Sequence, residues 1–146
     1  MAKLADFGMA TTVAGPLTEM CSTPTYVAPE VLSRSGYTYQ IDLWSLGVIT
    51  YILLSGSPPF RAETKDASYN LIQQGQFTFT ASHWNNITRA AKHFISSLLV
   101  VDQNARQTAR SASGHPWLQM NTKENLPDLY RQVTENLKTY SSNQYQ

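Results

Sequence analysis

Large apolar side chains crowd into one run of the chain, Ile41 to Leu54, IDLWSLGVITYILL. Within it only Asp42, Ser45, Gly47 and Thr50 are not large apolar or aromatic residues, and these four do not line up as a solvent-facing stripe. A helix that is apolar nearly all round belongs in the middle of a folded unit. A membrane span is the competing reading. The run is too short for it, since spanning takes about 20 apolar residues, and Asp42 opens it. Gly56, Pro58 and Pro59 follow and end it. The pattern predicts a central buried helix over 41–54, wrapped by the other segments.

Those segments read more weakly. Lys3-Leu4-Ala5 has the character of the end of a short strand. Residues 9–27, MATTVAGPLTEMCSTPTYV, hold no sustained period and are rich in Thr, Gly and Pro, which predicts a loop. Pro29 interrupts the backbone, and Glu30-Val31-Leu32 starts a short helix. Residues 33–40 connect into the central helix. Tyr69, Leu71 and Ile72 give an amphipathic helix from Ala67 to Gln74, ended by Gly75. Phe77, Phe79 and Trp84 read as packing aromatics. Thr88 caps a helix running to Asp102, with Ala91, Phe94, Ile95, Leu98, Leu99 and Val101 on one face and His93 on the polar side. A turn with two arginines follows, from Asp102 to Arg110. Leu126, Tyr130, Val133, Leu137 and Tyr140 recur at three or four residues and predict a helix from about Pro127, with Pro127 in its first turn. The last six residues, SSNQYQ, read as disordered.

Composition narrows the class. With 146 residues the chain can close one sizeable core. Charged residues make up 14%, against roughly 25% in ordinary soluble domains, a warning about solubility. Net charge is +1 with no basic block, so nothing points to nucleic acid or an anionic membrane. The single cysteine, Cys21, excludes an internal disulfide and fits a reducing, cytoplasmic setting. No apolar stretch follows Met1-Ala2-Lys3 as a signal peptide would require. His83, His93 and His115 lack ligand spacing, so no metal site is read from them. The tail's charges balance, which does not support a calmodulin target.

Short motifs then stand in a fixed order: Asp6-Phe7-Gly8, Thr23-Pro24, Ala28-Pro29-Glu30, Asp42-x-Trp44-x-x-Gly47, Arg106 and His115-Pro116-Trp117. D-F-G alone is weak, a surface turn being the simpler account. With A-P-E some twenty residues on, it is strong. The set resembles the C-terminal lobe of a Ser/Thr protein kinase of the calcium/calmodulin-dependent group, and within it the doublecortin-like kinase family. Gly15-Pro16-Leu17, the Thr23–Glu30 stretch, the Gly47–Leu54 stretch, Trp84-x-Asn86-Ile87-Thr88 and Val133-Thr134-x-x-Leu137-Lys138 carry that closer likeness.

The resemblance implies a mainly α fold, a kinase large lobe whose helices pack around 41–54. It implies a partial kinase domain over 1–118 and a tail over 119–146, partly helical and then disordered. Asp6 would hold the magnesium that bridges the phosphates of ATP, with Phe7 packing inward and Gly8 letting the chain turn. Thr18, Glu19, Thr23, Pro24, Thr25 and Tyr26 would form the substrate-facing activation segment, and Thr23 would contact the catalytic aspartate as Ser/Thr kinases require. Glu19 stands where many relatives carry a phosphorylated threonine, and Ser22 stands where they carry glycine. Arg106 would pair with Glu30, rather than stay a solvated surface charge. Asp42 would anchor the catalytic loop, besides serving as an anion at its helix's first turn, and Trp44 would be structural. The sequence holds no G-x-G-x-x-G loop, no V-A-I-K lysine and no H-R-D-x-x-x-x-N loop. The small lobe is thus absent, and the expectation is a kinase piece that does not catalyse alone. The alternative is a non-catalytic module that binds a substrate or regulatory partner through Thr25, Tyr26 and the 60–88 surface. Location would be cytoplasmic, with cytoskeletal association implied by the family.

Overall fold

Helices carry the fold from residue 29 onward, and no strand forms among the described residues, which in the computed structural model are 1, 3–15, 24–120 and 126–144. In chain order they are α1 (Pro29–Leu32), α2 (Gln40–Ser55), α3 (Lys65–Gln74), α4 (Arg89–Leu98), α5 (Ala109–Ser113), α6 (Pro116–Gln119) and α7 (Leu126–Gln144), with 3-10 turns at Pro24–Tyr26 and Ser82–Asn86. Their starts follow local chemistry. Thr64, Thr88 and Thr108 each accept the backbone N–H three residues on, from Ala67, Ala91 and Ser111, satisfying a donor that the first turn leaves free. Pro29 and Pro116 occupy first-turn positions, where a missing N–H costs nothing. Gly56 and Gly75 close α2 and α3 in the left-handed conformation, with φ of 77° and 63°.

α2 is the centre. Trp44 and Val48 are fully buried, and Leu43, Tyr51, Ile52 and Leu54 nearly so. Trp44 stacks on Phe60 at 5.3 Å. Tyr51 meets Trp84 at 4.7 Å and Phe79 at 5.9 Å, and its hydroxyl donates to the Thr78 carbonyl at 2.7 Å. The aromatics after α3 are therefore packing residues around α2, as their spacing suggests. α4 crosses α2 so closely that a Cβ on Gly47 would lie 2.9 Å from Leu98 Cβ. α7 lies against α2 as well, and Asn136 donates to the Leu53 carbonyl at 2.8 Å. A second cluster, Leu43, Phe94, Leu98 and Ala112, is closed by Trp117 of α6.

Several expectations change. The central helix is not buried on every side: Leu46 is 41% and Ile49 43% exposed, on the same strip as exposed Asp42. α4 stops at Leu98 instead of Asp102: Leu99 leaves the helical conformation, with φ of −86° and ψ of 51°, and the turn after it is held by Arg106, which donates to the Val100 and Val101 carbonyls through Nε at 2.9 Å and Nη2 at 3.4 Å. Val101 consequently turns outward and is exposed. Residues 3–5 form no strand, since no neighbouring strand offers a ladder. α7 continues through Gln144, so residues 141–144 are helical where disorder was expected. The anchor is Tyr140, packed on the main core one turn earlier. No helix among the described residues is long and apolar enough to cross a membrane.

Candidate functional site

Asp6, Phe7 and Gly8 sit in a turn closed by the Ala10 amide, which donates to the Phe7 carbonyl at 3.0 Å. Asp6 has φ of 62°, a left-handed backbone outside glycine. Aspartate tolerates this better than most residues, and such conformations gather at functional sites. The carboxylate is exposed, and Phe7 is 67% exposed instead of packed inward. Met9, Ala10, Thr11 and Val13 then line a cavity of about 370 Å³ whose opposite wall is Tyr26, Val31, Tyr37 and the Ile41–Asp42–Ser45 edge of α2. Among the described residues no group of three His, Cys, Asp or Glu could hold a metal. Magnesium ordinarily takes one or two carboxylates and completes its shell with water and phosphate. Asp6 can supply one such ligand. Nothing described here forms a phosphate cradle, so these residues do not by themselves make an ATP–magnesium site.

Thr25 and Tyr26 lie on the 3-10 turn that leads into α1, and both are half-buried. Ser45 of α2 donates to the Tyr26 carbonyl at 3.0 Å, fastening the turn to the central helix. The Tyr26 hydroxyl meets the Tyr140 hydroxyl of α7 at 3.1 Å. Burial, then the hydrogen bond with Tyr26, pushes the Tyr140 phenol up to about 12. The tail helix thus touches the segment that the sequence marks as substrate-facing. That contact joins residues 114 positions apart and has no sequence signal. Thr18, Glu19 and Thr23 lie outside the described residues. Pro24 opens the turn.

Glu30 and Arg106 form a buried fork. Arg106 Nη1 donates to Glu30 Oε1 at 2.7 Å and Nη2 to Oε2 at 2.9 Å. The arginine side chain is 0% and the glutamate 5% exposed. Nη1 also donates to the Gln40 carbonyl at 2.8 Å, and the guanidinium lies 5.2 Å from the Trp44 ring. Gln40 Nε2 in turn donates to the Gln103 and Arg106 carbonyls, each at 3.1 Å. One arginine therefore joins α1, the head of α2 and the turn at 100–106 that follows α4. Asp42, in the first turn of α2, makes no hydrogen bond with a described side chain and faces outward.

A sequence comparison decides what this constellation is part of. The protein kinase domain model matches residues 1–118. The chain belongs to the protein kinase family. Among curated kinases it is 46% identical to serine/threonine-protein kinase DCLK3 of Homo sapiens over 98% of its own length and 22% of that protein's. It is 46% identical to serine/threonine-protein kinase DCLK2 of Homo sapiens over 97% of itself and 18% of the relative. Myosin light chain kinase A of Dictyostelium discoideum is 42% identical over 93% of the chain and 48% of the relative. The likeness to doublecortin-like kinases stands on this, and the helical fold is that of the C-terminal lobe of the kinase domain. The chain spans about a fifth of the length of these two DCLK kinases.

The kinase motifs divide in space. A-P-E, the D-x-W helix, Arg106 and H-P-W are brought together through α1, α2, α4 and α6. D-F-G stays at the rim, next to Met9, Ala10, Thr11 and Val13, which line the cavity against α2. One pair was missed in the sequence. His93 and His115 lie 22 positions apart, yet Nδ1 of the first and Nε2 of the second are 2.8 Å apart. Spacing could not reveal it, because only the packing of α6 on α4 makes it.

Proposed function

We propose that this chain is the activation-segment and large-lobe part of a serine/threonine protein kinase that transfers the γ-phosphoryl of ATP to Ser or Thr of protein substrates, and that it does not catalyse this transfer alone. The observation that carries the reading is the buried Glu30–Arg106 fork, which ties the end of the D-F-G to A-P-E segment onto the central helix. In the whole enzyme Asp6 serves as a magnesium ligand, Thr23 meets the aspartate of the catalytic loop, and Thr25 and Tyr26 face the peptide. Transfer needs nucleotide, metal and base positioned together. The residues here supply one carboxylate of that set. The test begins with the transcript 5′ of the Met1 codon. A frame continuing upstream into H-R-D-x-x-x-x-N and V-A-I-K supports the reading, and Asp6→Asn in that product then abolishes phosphorylation of a Ser/Thr peptide. A product with those elements that retains full activity as Asp6→Asn overturns the role of Asp6.

The bare strip of Asp42, Leu46 and Ile49 favours a second reading, a non-catalytic module that binds a partner. A soluble, cooperatively unfolding monomer that starts at Met1 in the cell supports it. Aggregation of the isolated chain speaks for the first.

A further inference from the structure

The histidine pair has no part in that function. His115 caps α6: its Nδ1 accepts the Trp117 amide at 3.1 Å. An amide N–H only donates, so Nδ1 carries a lone pair and the His115 proton sits on Nε2. That proton is donated to His93 Nδ1, 2.8 Å away, which must also carry a lone pair. The two rings lie 5.1 Å apart and nearly parallel, and His115 is 5% exposed. Only the doubly neutral pair satisfies both bonds. A proton added to His115 sets N–H against the Trp117 N–H. A proton added to His93 Nδ1 sets it against the His115 Nε2–H, and moving the His115 proton to Nδ1 to relieve this breaks the cap.

No carboxylate on the packed elements offsets the charge. α4 contributes Arg89 and Lys92 besides His93, α5 contributes Arg110, and α6 has no ionisable side chain. α2 reaches this cluster through Leu43. Apart from Tyr51 its one ionisable side chain is Asp42, which is exposed and makes no ion pair with His115. Burial, then the charge of His93, holds His115 below its ordinary 6.5. What the pair fastens is the lid of the second cluster. Phe94 lies 5.1 Å from His115 and 5.2 Å from Trp117, which covers Leu43, Leu98 and Ala112.

We propose that His93 and His115 form an acid-sensitive latch whose protonation frees α6 and Trp117 from the Leu43–Phe94–Leu98 cluster while the main core around α2 stays closed. The sign follows from linkage. An opened histidine takes up its proton near 6.5 and the latched one at lower pH, so the open form binds more protons. The latch holds above about pH 6.5 and weakens as pH falls below it. The test is amide exchange by NMR on this chain between about pH 7.5 and pH 5.5. Corrected for intrinsic exchange, protection of the Trp117 amide falls as pH drops below about 6.5, by at most about tenfold per pH unit for one proton taken up, while that of Trp44 in α2 does not change. His115→Asn keeps a capping oxygen without the titration, and its Trp117 protection stays flat. Equal protection at both ends of the range in the native chain, or the same fall in His115→Asn, overturns the proposal. So does a nitrogen NMR spectrum of the native chain that puts the His115 proton on Nδ1, a result that needs no variant to fold.

Discussion

Two parts of this chain carry kinase motifs and are built in opposite ways. Around Glu30 and Arg106 each charged atom of the fork has a partner, and water is excluded. Around Asp6 and Phe7 the side chains are exposed, and among the described residues the turn is closed by a backbone bond alone. The difference separates motifs that build the lobe from the D-F-G motif, to which our proposal gives a part in the reaction. The first kind finds its partners within one stretch of chain. The second has no side-chain partner among the described residues. The kinase domain match covers both, and overall identity does not distinguish them.

That contrast can be broken most forcefully at Arg106. Arg106→Ala leaves Glu30 buried and uncompensated, and denaturant unfolding should show a loss of about 3–5 kcal/mol. Replacing both partners by apolar residues should recover much of it. A loss under about 1 kcal/mol would mean that the fork behaves as a surface pair. Gly47→Ala comes next, since the methyl meets Leu98 and Leu99 at 2.9 Å. The expected cost is about 1–3 kcal/mol, read from the same unfolding curve. Asn136→Ala removes the donor to the Leu53 carbonyl and should loosen α7 by about 1 kcal/mol, seen as faster exchange in α7 before α2.

The tail contact also has a pH signature. The Tyr140 phenol is raised from 10.0 to about 12, so the docked helix holds its proton longer than the free one. Docking is intact below pH 10.0 and is lost as pH rises toward 12. Tyrosinate absorbance of native chain and Tyr26→Phe should differ in that window; identical titrations would remove Tyr26 from the contact. The smallest effect belongs to the other region. Asp6→Asn should change stability by less than about 0.5 kcal/mol, and a larger loss would show that the D-F-G turn is part of the lobe's core.

Much of this was legible. The run 41–54 announces its helix because no other element tolerates so long an apolar stretch, and the threonines at 64, 88 and 108 stand where first-turn amides need an acceptor. Only Thr88 was read as a cap, because the helix after Thr64 begins two residues before its first apolar side chain, and that after Thr108 is five residues long. The end of α4 was not legible. Helical periodicity continues past Leu98, while the backbone leaves the helix at Leu99 and the turn that follows is held by Arg106, a residue beyond the helix.

Residue order along the chain was enough for the family and the central helix, since these rest on local composition and on motifs in a set order, and the pairing of Glu30 with Arg106 followed only as what the family resemblance implies. The bare strip at Leu46 and Ile49, the seat of α7 on Leu53 and Tyr26, and the bond between His93 and His115 depend on how helices cross. A crossing is set by the summed packing of many side chains, here by the space that Gly47 leaves for Leu98 and Leu99. No single position along the chain carries that information, and so these three features became visible only in the folded molecule.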